Sequence, residues 1–586
     1  MIPLLCVGDL AVVGSGADAV VGSTAEVIEL VADRERLGAT RLLVASASVA
    51  RAVLTGPGVH VPRLWDVAEA HRILHGGWAA SPSLAWAVAA GLDPATVPTA
   101  VGGDLFDFAH ATHGTDHGDG DDPESPVRAD GHLRPDAFDP SWASTPARLT
   151  AAAGALAELG RRQALLIAGL GARATSTAHS ESAAALLCLE LERDGLPVDR
   201  PTAVALIEGS AGPRPHDDTD ALRIRRARDR EVLRHAPGRE SVDLRNPTQV
   251  RDLLTAVGVS VPNTRAHVLQ PFASTHPLVE ALLQWRKDER IATTYGYRWL
   301  DENVGADDRL RGAWSACDGA AGRMTAQNGL HNLPAPLRPA VAARAGHVFV
   351  RADLGQVEPR VLAVVSGDRA FAEASAADDL YAPVAAKLRV ERSVAKIAVL
   401  AAMYGQRSGA AGEALKDLER AYPVAMKLLD DAYAAGVARR PLRTFGGRLL
   451  PFDRVIPGVA SSPSGADGAG GADGADTADG ADRSRDRAVD SARGRFARNA
   501  VIQGAAAELF KAWAATVRHA ITPLGAQIVL CLHDELLVHS PEARAAEVAD
   551  LLDRCLIDAA RRWAGGDHVR FVADTSIVTR WSQAKD

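Results

Sequence analysis

The sequence predicts a multidomain α+β protein, and three observations carry that prediction. Its 586 residues are about four times a typical domain, enough for about three to five separate cores. Apolar residues make up 47% and charged residues 24%, the balance of a folded globular chain, which excludes global disorder and collagen-like or coiled-coil architectures. The patterning then changes along the chain. Strand and helix patterns alternate at the N-terminus, alanine-rich helical runs follow, and from about residue 310 apolar runs end in acidic residues.

Charge and cysteine content narrow the class. Cys6, Cys188, Cys317, Cys531 and Cys555 include no Cys-x-x-Cys pair, which excludes a disulfide scaffold, argues against a structural zinc site and fits a reducing compartment. A net charge of -8 excludes a uniformly basic nucleic-acid binder but leaves room for one whose positive charge is local. The apolar start Met1-Ile-Pro-Leu-Leu-Cys-Val is interrupted by Asp9 before it reaches signal-peptide or membrane-span length, so it reads as a first strand, with no membrane partner expected.

Taken in order, residues 2–14 read as a strand pair. Ser23-Thr-Ala-Glu26 reads as a capping box opening a helix that ends near Gly38, and residues 41–47 as a further strand. His110, His113 and His117 have metal-ligand spacing on a helix, but Gly114, Gly118 and Gly120 oppose a helix, so the tract reads as a solvated loop. From Pro146 to Gly195 the chain is helical and alanine-rich. Arg223, Arg225, Arg226, Arg228, Arg230, Arg234, Arg239 and Arg245 follow. They suit either a solvated helix, with Asp229 and Glu231 offsetting some charge, or a surface that tracks phosphates. The Gly-Ala-Asp repeats from Gly458 to Asp482 read as a disordered acidic insertion.

The residues that point to chemistry lie further on. In residues 347–366 an alternating apolar run ends at Asp353 and a helical pattern follows. Asp353 therefore sits at a strand tip, where a carboxylate is either a helix cap or a functional group. Residues 527–540 read as a tight hairpin with His533-Asp534-Glu535 at its turn. One sheet could bring both strand tips together, and two rigid aspartates suit a pair of Mg²⁺ ions about 4 Å apart, the arrangement for phosphoryl transfer. That chemistry also needs cations for the transferring phosphates. Arg392, Lys396, Leu400 and Tyr404 recur at every fourth position, one slowly drifting helical stripe. Its cations would meet a triphosphate and its apolar end a sugar or base, although alone it is also the pattern of an ordinary amphipathic helix.

These segments resemble the three signature motifs of the bacterial DNA polymerase I family (family A). They are Asp-Leu-Gly-Gln-Val-Glu-Pro-Arg at 353–360, Arg392 to Gly405, and His533-Asp-Glu535. The likeness extends to Gly322-Arg-Met, Leu330-His-Asn-Leu-Pro334, Thr444-Phe-Gly-Gly-Arg448, residues 495–504, Glu190 to Asp199 and Asn246 to Leu254, and so covers roughly residues 180 to 580. It implies a right-hand polymerase, with a palm built on an antiparallel sheet and helical fingers and thumb, preceded by a degenerate ribonuclease H-like α/β domain. The expected divisions are 1–180 exonuclease-like with a flexible loop at 110–145, 181–310 thumb and palm approach, 311–380 first part of the palm, 381–445 fingers, and 446–586 second part of the palm with the insertion at about 458–490.

The resemblance further implies template-directed addition of deoxynucleotides to a primer 3′ end. Primer-template DNA, deoxynucleoside triphosphates and two Mg²⁺ would be the partners of a monomer in the bacterial cytoplasm. Carried over residue by residue, it makes Asp353 and Asp534 metal ligands with Glu535 nearby, and sets Arg392 and Lys396 on the triphosphate, with Lys396 as general acid. It places Leu400, Tyr381 and Tyr404 around the nucleotide, with Tyr404 beside the templating base. Glu358 would close off the ribose 2′ side, disfavouring ribonucleotides. Arg323, Asn332, Arg495, Asn499, Gln503 and His533 would contact DNA. The departures are Leu400 where the family usually has Phe or Tyr, Leu354-Gly355 for Tyr-Ser, Ala401 for glycine, Tyr381 where histidine is usual, and His331 for glutamine.

The family's 3′ to 5′ exonuclease needs an Asp-x-Glu on a strand and two further aspartates. Asp33-Arg-Glu35 lies in the predicted helix, where i and i+2 face nearly opposite ways, and the strand Leu4 to Asp9 carries a single acid. A non-catalytic domain is therefore expected, and no 5′ nuclease domain. The competing functions are a bifunctional exonuclease and polymerase, and a catalytically silent DNA-binding scaffold. A scaffold has no physical need for Asp353, Asp534, Lys396 and Arg392 together.

Overall fold

The computed structural model describes residues 1–33, 40–98, 122–319, 321–327, 329–405, 412–452 and 478–585. The chain forms two compact units, one of Met1–Arg193, Trp314–Thr325 and Val350–Ser576, the other of Asp194–Ala313, Ala326–Phe349 and Ile577–Asp586.

The first unit opens with β1 (Ile2–Val7) and β2 (Leu10–Val13), the expected strand pair, closed by a turn at Gly8 and Asp9 with Gly8 at φ 58°. β3 (Val20–Ser23) leads into α1 (Thr24–Ala32), where Ser23 and Glu26 form the expected reciprocal capping box. α1 ends at Ala32 with Asp33 as an extended C-cap, so Asp33 lies outside this helix, and the expected end near Gly38 falls outside the described residues. Glu35 falls outside the described residues, as do His110, His113 and His117. β4 (Leu42–Val44) and β5 (Leu64–Asp66) complete a mixed sheet of order β3-β2-β1-β4-β5, antiparallel from β3 to β1 and parallel from β1 to β5.

Asp66 caps α2 (Val67–His75). It is buried, and its oxygens accept from Ala47 N at 2.7 Å and Glu69 N at 3.1 Å, while burial first and then the charge of Glu69 push its carboxyl up to about 7. The alanine-rich region forms α3 (Pro146–Gly169) and α4 (Ala172–Asp194). Leu149, Leu156 and Leu159 of α3 pack on Val12, Leu43 and Trp65 of the sheet. The approach is so close at Gly160 that a Cβ would lie 2.6 Å from a Leu43 methyl.

The second unit contains the short ribbon β6 (Leu196–Pro197) and β7 (Arg309–Leu310) and the helices α5 (Arg200–Ala211), α6 (Asp218–Leu233), α7 (Pro247–Ala256) and α8 (Pro277–Thr294). Val232, Val250, Leu254, Leu282 and Trp285 form its core. Its arginine cluster divides. Arg228 and Arg245 both pair with Glu289, at 2.9 and 2.6 Å, and Arg245 also with Asp229 at 2.8 Å, so these two tie α6 to α8. Arg223 pairs with Asp220 and Arg234 with Glu231 inside their own turns, while Arg225, Arg226 and Arg230 are exposed.

The remainder supplies β8 (Trp314–Asp318), β9 (Arg323–Ala326) and β10 (His347–Leu354), then α9 (Val357–Ser366), α10 (Tyr381–Leu388), α11 (Arg392–Tyr404) and α12 (Pro423–Val437). The ribbon β11 (Leu442–Arg443) and β12 (Leu449–Leu450) precedes α13 (Ala478–Ile521), the hairpin β13 (Gln527–Leu532) and β14 (Glu535–Pro541), α14 (Ala545–Ala564) and β15 (Ala573–Val578). The strands pair in the order β13-β14-β10-β15. α13 begins inside the stretch read as an insertion, where the closely spaced glycines of the Gly-Ala-Asp repeats thin out to Gly480, Gly494 and Gly504 across the helix. Residues 453–477 of that stretch lie outside the described residues. Among the described residues no helix is long and apolar enough to cross a membrane.

Candidate active site

Strand pairing brings the two separated acids together. β10 lies beside β14, and at their tips Leu354 N donates to Asp534 O at 3.0 Å. The hairpin places His533 at φ 56°, a left-handed turn residue, so that Asp534 follows at the tip and Glu535 begins β14. Burial first, and the neighbouring charge of Asp353 second, push the Asp534 carboxyl up to about 6. Glu535 is buried, and Arg351 Nη2 pairs with it at 3.0 Å and with Asp353 Oδ2, while Arg351 Nη1 lies 3.4 Å from Asp574 Oδ2.

Next to these acids is a cavity of 260 Å³ whose lining includes Arg323, Leu354, Gln356, Glu358, Tyr381, Leu400, Tyr404, Gln503, His533 and Asp534. Glu358, on the first turn of α9, accepts from Tyr404 Oη at 3.0 Å and from Arg323 Nη2 at 3.1 Å. Burial and that carboxylate together push the Tyr404 hydroxyl up. Tyr381 is pushed up to about 12, by burial first and Glu358 next. Gln503, with its amide turned to satisfy both groups, accepts from Arg323 Nη2 at 2.7 Å and Nη1 at 3.1 Å. Arg323, Glu358, Tyr404 and Gln503 thus form one connected wall.

The stripe Arg392, Lys396, Leu400 and Tyr404 is realised on α11, exposed at its cationic end and half-buried at its apolar end. Arg392 pairs with Asp379, which holds the Asp379 carboxyl below the usual range, and its guanidinium lies 5.7 Å from the Tyr381 ring centre. Arg495, Asn499 and Gln503 share one face of α13, where Gln503, Ala506, Ala507 and Phe510 line the cavity. Arg495 is exposed and donates to Ser491 Oγ at 2.7 Å; at 1.5 Å per residue it stands about 12 Å along the helix from Gln503. Asn332 belongs to the second unit, where its carbonyl accepts from Tyr295 Oη at 2.8 Å.

Four residues that matter to this geometry were not singled out from sequence. Gln356 adopts φ 56° between β10 and α9; its side chain donates to Asp379 Oδ1 at 2.9 Å and accepts from Leu380 N at 2.7 Å. Arg360 is fully buried and donates to the carbonyls of Gly355, Ser375, Ala377, Asp378 and Arg570. Arg498 ties α13 to Ala402 O and Asp430, both at 2.6 Å. Arg351 carries the one signal that was open to a reader: an arginine inside Val348-Phe-Val-Arg-Ala is a charge within a buried run, and such a charge needs partners.

A strand-tip pair of acids beside this cavity, with Arg392 and Lys396 on the helix whose Leu400 and Tyr404 line it, has the components that phosphoryl transfer requires. The chain belongs to DNA polymerase family A, whose model matches residues 224–583. It is 28% identical over 331 residues to the thermostable DNA polymerase I of Thermus filiformis, covering 51% of this chain and 36% of that one. Likewise it is 28% identical over 317 residues to DNA polymerase I of Chloroflexus aurantiacus, covering 49% and 31%. The chain therefore spans about a third of the length of the curated relatives it matches. Among solved structures, the POL domain of Pol1 from M. smegmatis in complex with DNA primer-template and dNTP matches with a TM-score of 0.63, covering 100% of this chain and 96% of that one. At 20% identity this shows the fold alone.

Proposed function

We propose that this chain is a template-directed DNA polymerase that adds deoxynucleotides to a primer 3′ end. The observation that carries the reading is the meeting of Asp353 and Asp534 on adjacent strand tips beside the cavity walled by Glu358, Tyr404, Arg323 and Gln503. Two carboxylates are hard oxygen donors suited to Mg²⁺, and the upward push on Asp534 from its burial and from Asp353 is the charge conflict that a divalent cation relieves. Asp353 and Asp534 would hold such ions, which would supply activation of the attacking oxygen and charge stabilisation for the leaving one.

The chain's own groups do the rest. Arg392 exchanges Asp379 for phosphate oxygens, and Lys396, one turn further on, offers its ammonium to the same triphosphate and a proton to the departing pyrophosphate. Glu358, fixed by Tyr404 and Arg323, occupies the ribose 2′ side, so a ribonucleotide brings its hydroxyl against a group already hydrogen-bonded. Arg323 and Gln503 face the minor groove of the nascent base pair, His533 stands near the primer terminus, and Asn332, Arg495 and Asn499 are further DNA contacts. The mixed five-stranded N-terminal sheet supports a ribonuclease H-like reading of that region. Its strand acid Asp66 is buried and occupied by backbone donors, which supports a role in packing over nuclease chemistry.

Primer extension on a defined template tests this, using deoxy- or ribonucleoside triphosphates with Mg²⁺ and one lane without triphosphates. We expect extension that prefers deoxynucleotides and is lost in Asp534→Ala. No extension under any condition points to a silent scaffold, and shortening of the primer in the empty lane points to a nuclease.

A further inference from the structure

We propose that Arg351 is a built-in counter-cation of the acid cluster, which lowers its affinity for divalent metal until a triphosphate arrives. The proposal rests on the reading of Asp353 and Asp534 as metal-holding residues. Arg351 stands two residues before Asp353 on β10, so both side chains project from the same face of the strand. Its side chain is 2% exposed. The guanidinium bridges three carboxylates: Nη2 reaches Asp353 and, at 3.0 Å, Glu535, while Nη1 lies 3.4 Å from Asp574.

Two features make this more than an incidental ion pair. The guanidinium of an arginine carries a fixed positive charge, and here it stands beside Asp353. Burial also removes the solvent screening that makes surface pairs weak, and the guanidinium contacts the same carboxylate that is read as a ligand. A metal ion at Asp353 must therefore share that carboxylate's charge with Arg351 and tolerate a cation beside it. A triphosphate changes the balance, because its own negative charge joins the cluster and compensates for the arginine. Metal binding is thereby coupled to the arrival of substrate, and in its absence Arg351 offsets one of the charges that Asp353, Glu535 and Asp574 bring together.

The test is Mn²⁺ binding to the whole chain without DNA or triphosphate, followed by loss of the free-ion electron paramagnetic resonance signal. It compares wild type, Asp353→Asn, Arg351→Gln and Arg351→Met. Arg351→Gln removes the charge and keeps a shorter polar amide, whereas Arg351→Met removes the charge and every donor at nearly the same chain length. One unit charge a few ångströms from a half-buried ion changes affinity by about tenfold or more at the effective dielectric of protein sites, so both Arg351 variants are expected to bind Mn²⁺ at least about tenfold more tightly than wild type. With triphosphate present the difference is expected to shrink. Equal or weaker binding in folded Arg351→Gln overturns the counter-cation proposal, provided Asp353→Asn loses the site. If Asp353→Asn binds as wild type does, the metal reading of Asp353 itself fails. Should either Arg351 variant melt too early for the titration, the rise in Tm at fixed Mn²⁺ replaces it. A rise larger than that of wild type supports the proposal, and an equal or smaller one overturns it.

Discussion

Glu358 and Leu400 both line the same cavity, and each makes a separate prediction. Glu358 is held by Tyr404 and Arg323, so its carboxylate cannot swing aside to admit a 2′-hydroxyl without breaking two hydrogen bonds. Glu358→Ala removes the obstacle, and the preference for deoxy- over ribonucleoside triphosphates should fall by roughly tenfold or more, read as the ratio of kcat/KM values in single-nucleotide extension. An unchanged ratio places the discrimination elsewhere. Leu400 is half-buried on α11 and lines the cavity, where an aromatic ring would add stacking worth about 0.5–1.5 kcal/mol. Leu400→Phe should therefore lower KM for a correct deoxynucleotide by roughly two- to tenfold with little change in kcat; a raised KM would show that the cavity has no room for the ring.

The turn from β10 into α9 decides where both Asp353 and Glu358 point. Gln356 sits there in a left-handed conformation uncommon for a non-glycine residue. Its amide ties the turn to Asp379 and Leu380, so the strain is offset by two hydrogen bonds. Gln356→Ala keeps the strain and loses both bonds, and should destabilise the fold by about 1–3 kcal/mol in urea denaturation; a loss below about 0.5 kcal/mol would show that the turn is held by other contacts. This turn also marks how far the sequence could be read. The strand, the hairpin and the cationic stripe were legible because period-2 and period-3.6 apolar patterns report local geometry directly, and the capping box at Ser23 was legible for the same reason. Gln356, Arg360 and Arg498 were not, and Arg351 announced only that it needed partners, not which. Their roles depend on carbonyls and carboxylates supplied by elements distant in sequence, as Arg360 shows by donating to residues as far off as Arg570. The start of α13 differed from expectation because composition was read as uniform across the Gly-Ala-Asp stretch, whereas a long helix accommodates glycines as sparse as Gly480, Gly494 and Gly504.

Within the first unit, the N-terminal helices and the elements around α13 share a buried polar network, which ties the stability of the whole unit to protonation. Glu181 of α4 pairs with Lys511 of α13 at 2.5 Å and with Arg448 at 2.7 Å. Glu508, one turn before Lys511, accepts from Thr444 Oγ1 and from Gly446 N at 2.8 Å. Burial outweighs these hydrogen bonds and the nearby Arg448, and it pushes the Glu508 carboxyl up from 4.5 to about 7. The sign follows from proton linkage. Because the folded state holds this proton more tightly than the unfolded one, the associated stability is fully present below about pH 4.5 and is lost as pH rises through about 7. The full swing is on the order of 3 kcal/mol. Glu508→Gln mimics the protonated acid, with its amide nitrogen donating toward Thr444 and its oxygen accepting from Gly446, and it cannot titrate. The stability of wild type relative to Glu508→Gln, from urea denaturation at a series of pH values, should therefore fall steadily between pH 4.5 and 7.5, with the variant the more stable protein at the upper end. A difference that stays flat across that window would mean Glu508 is ionised in the fold at all these pH values, with Arg448 and the Gly446 amide outweighing its burial.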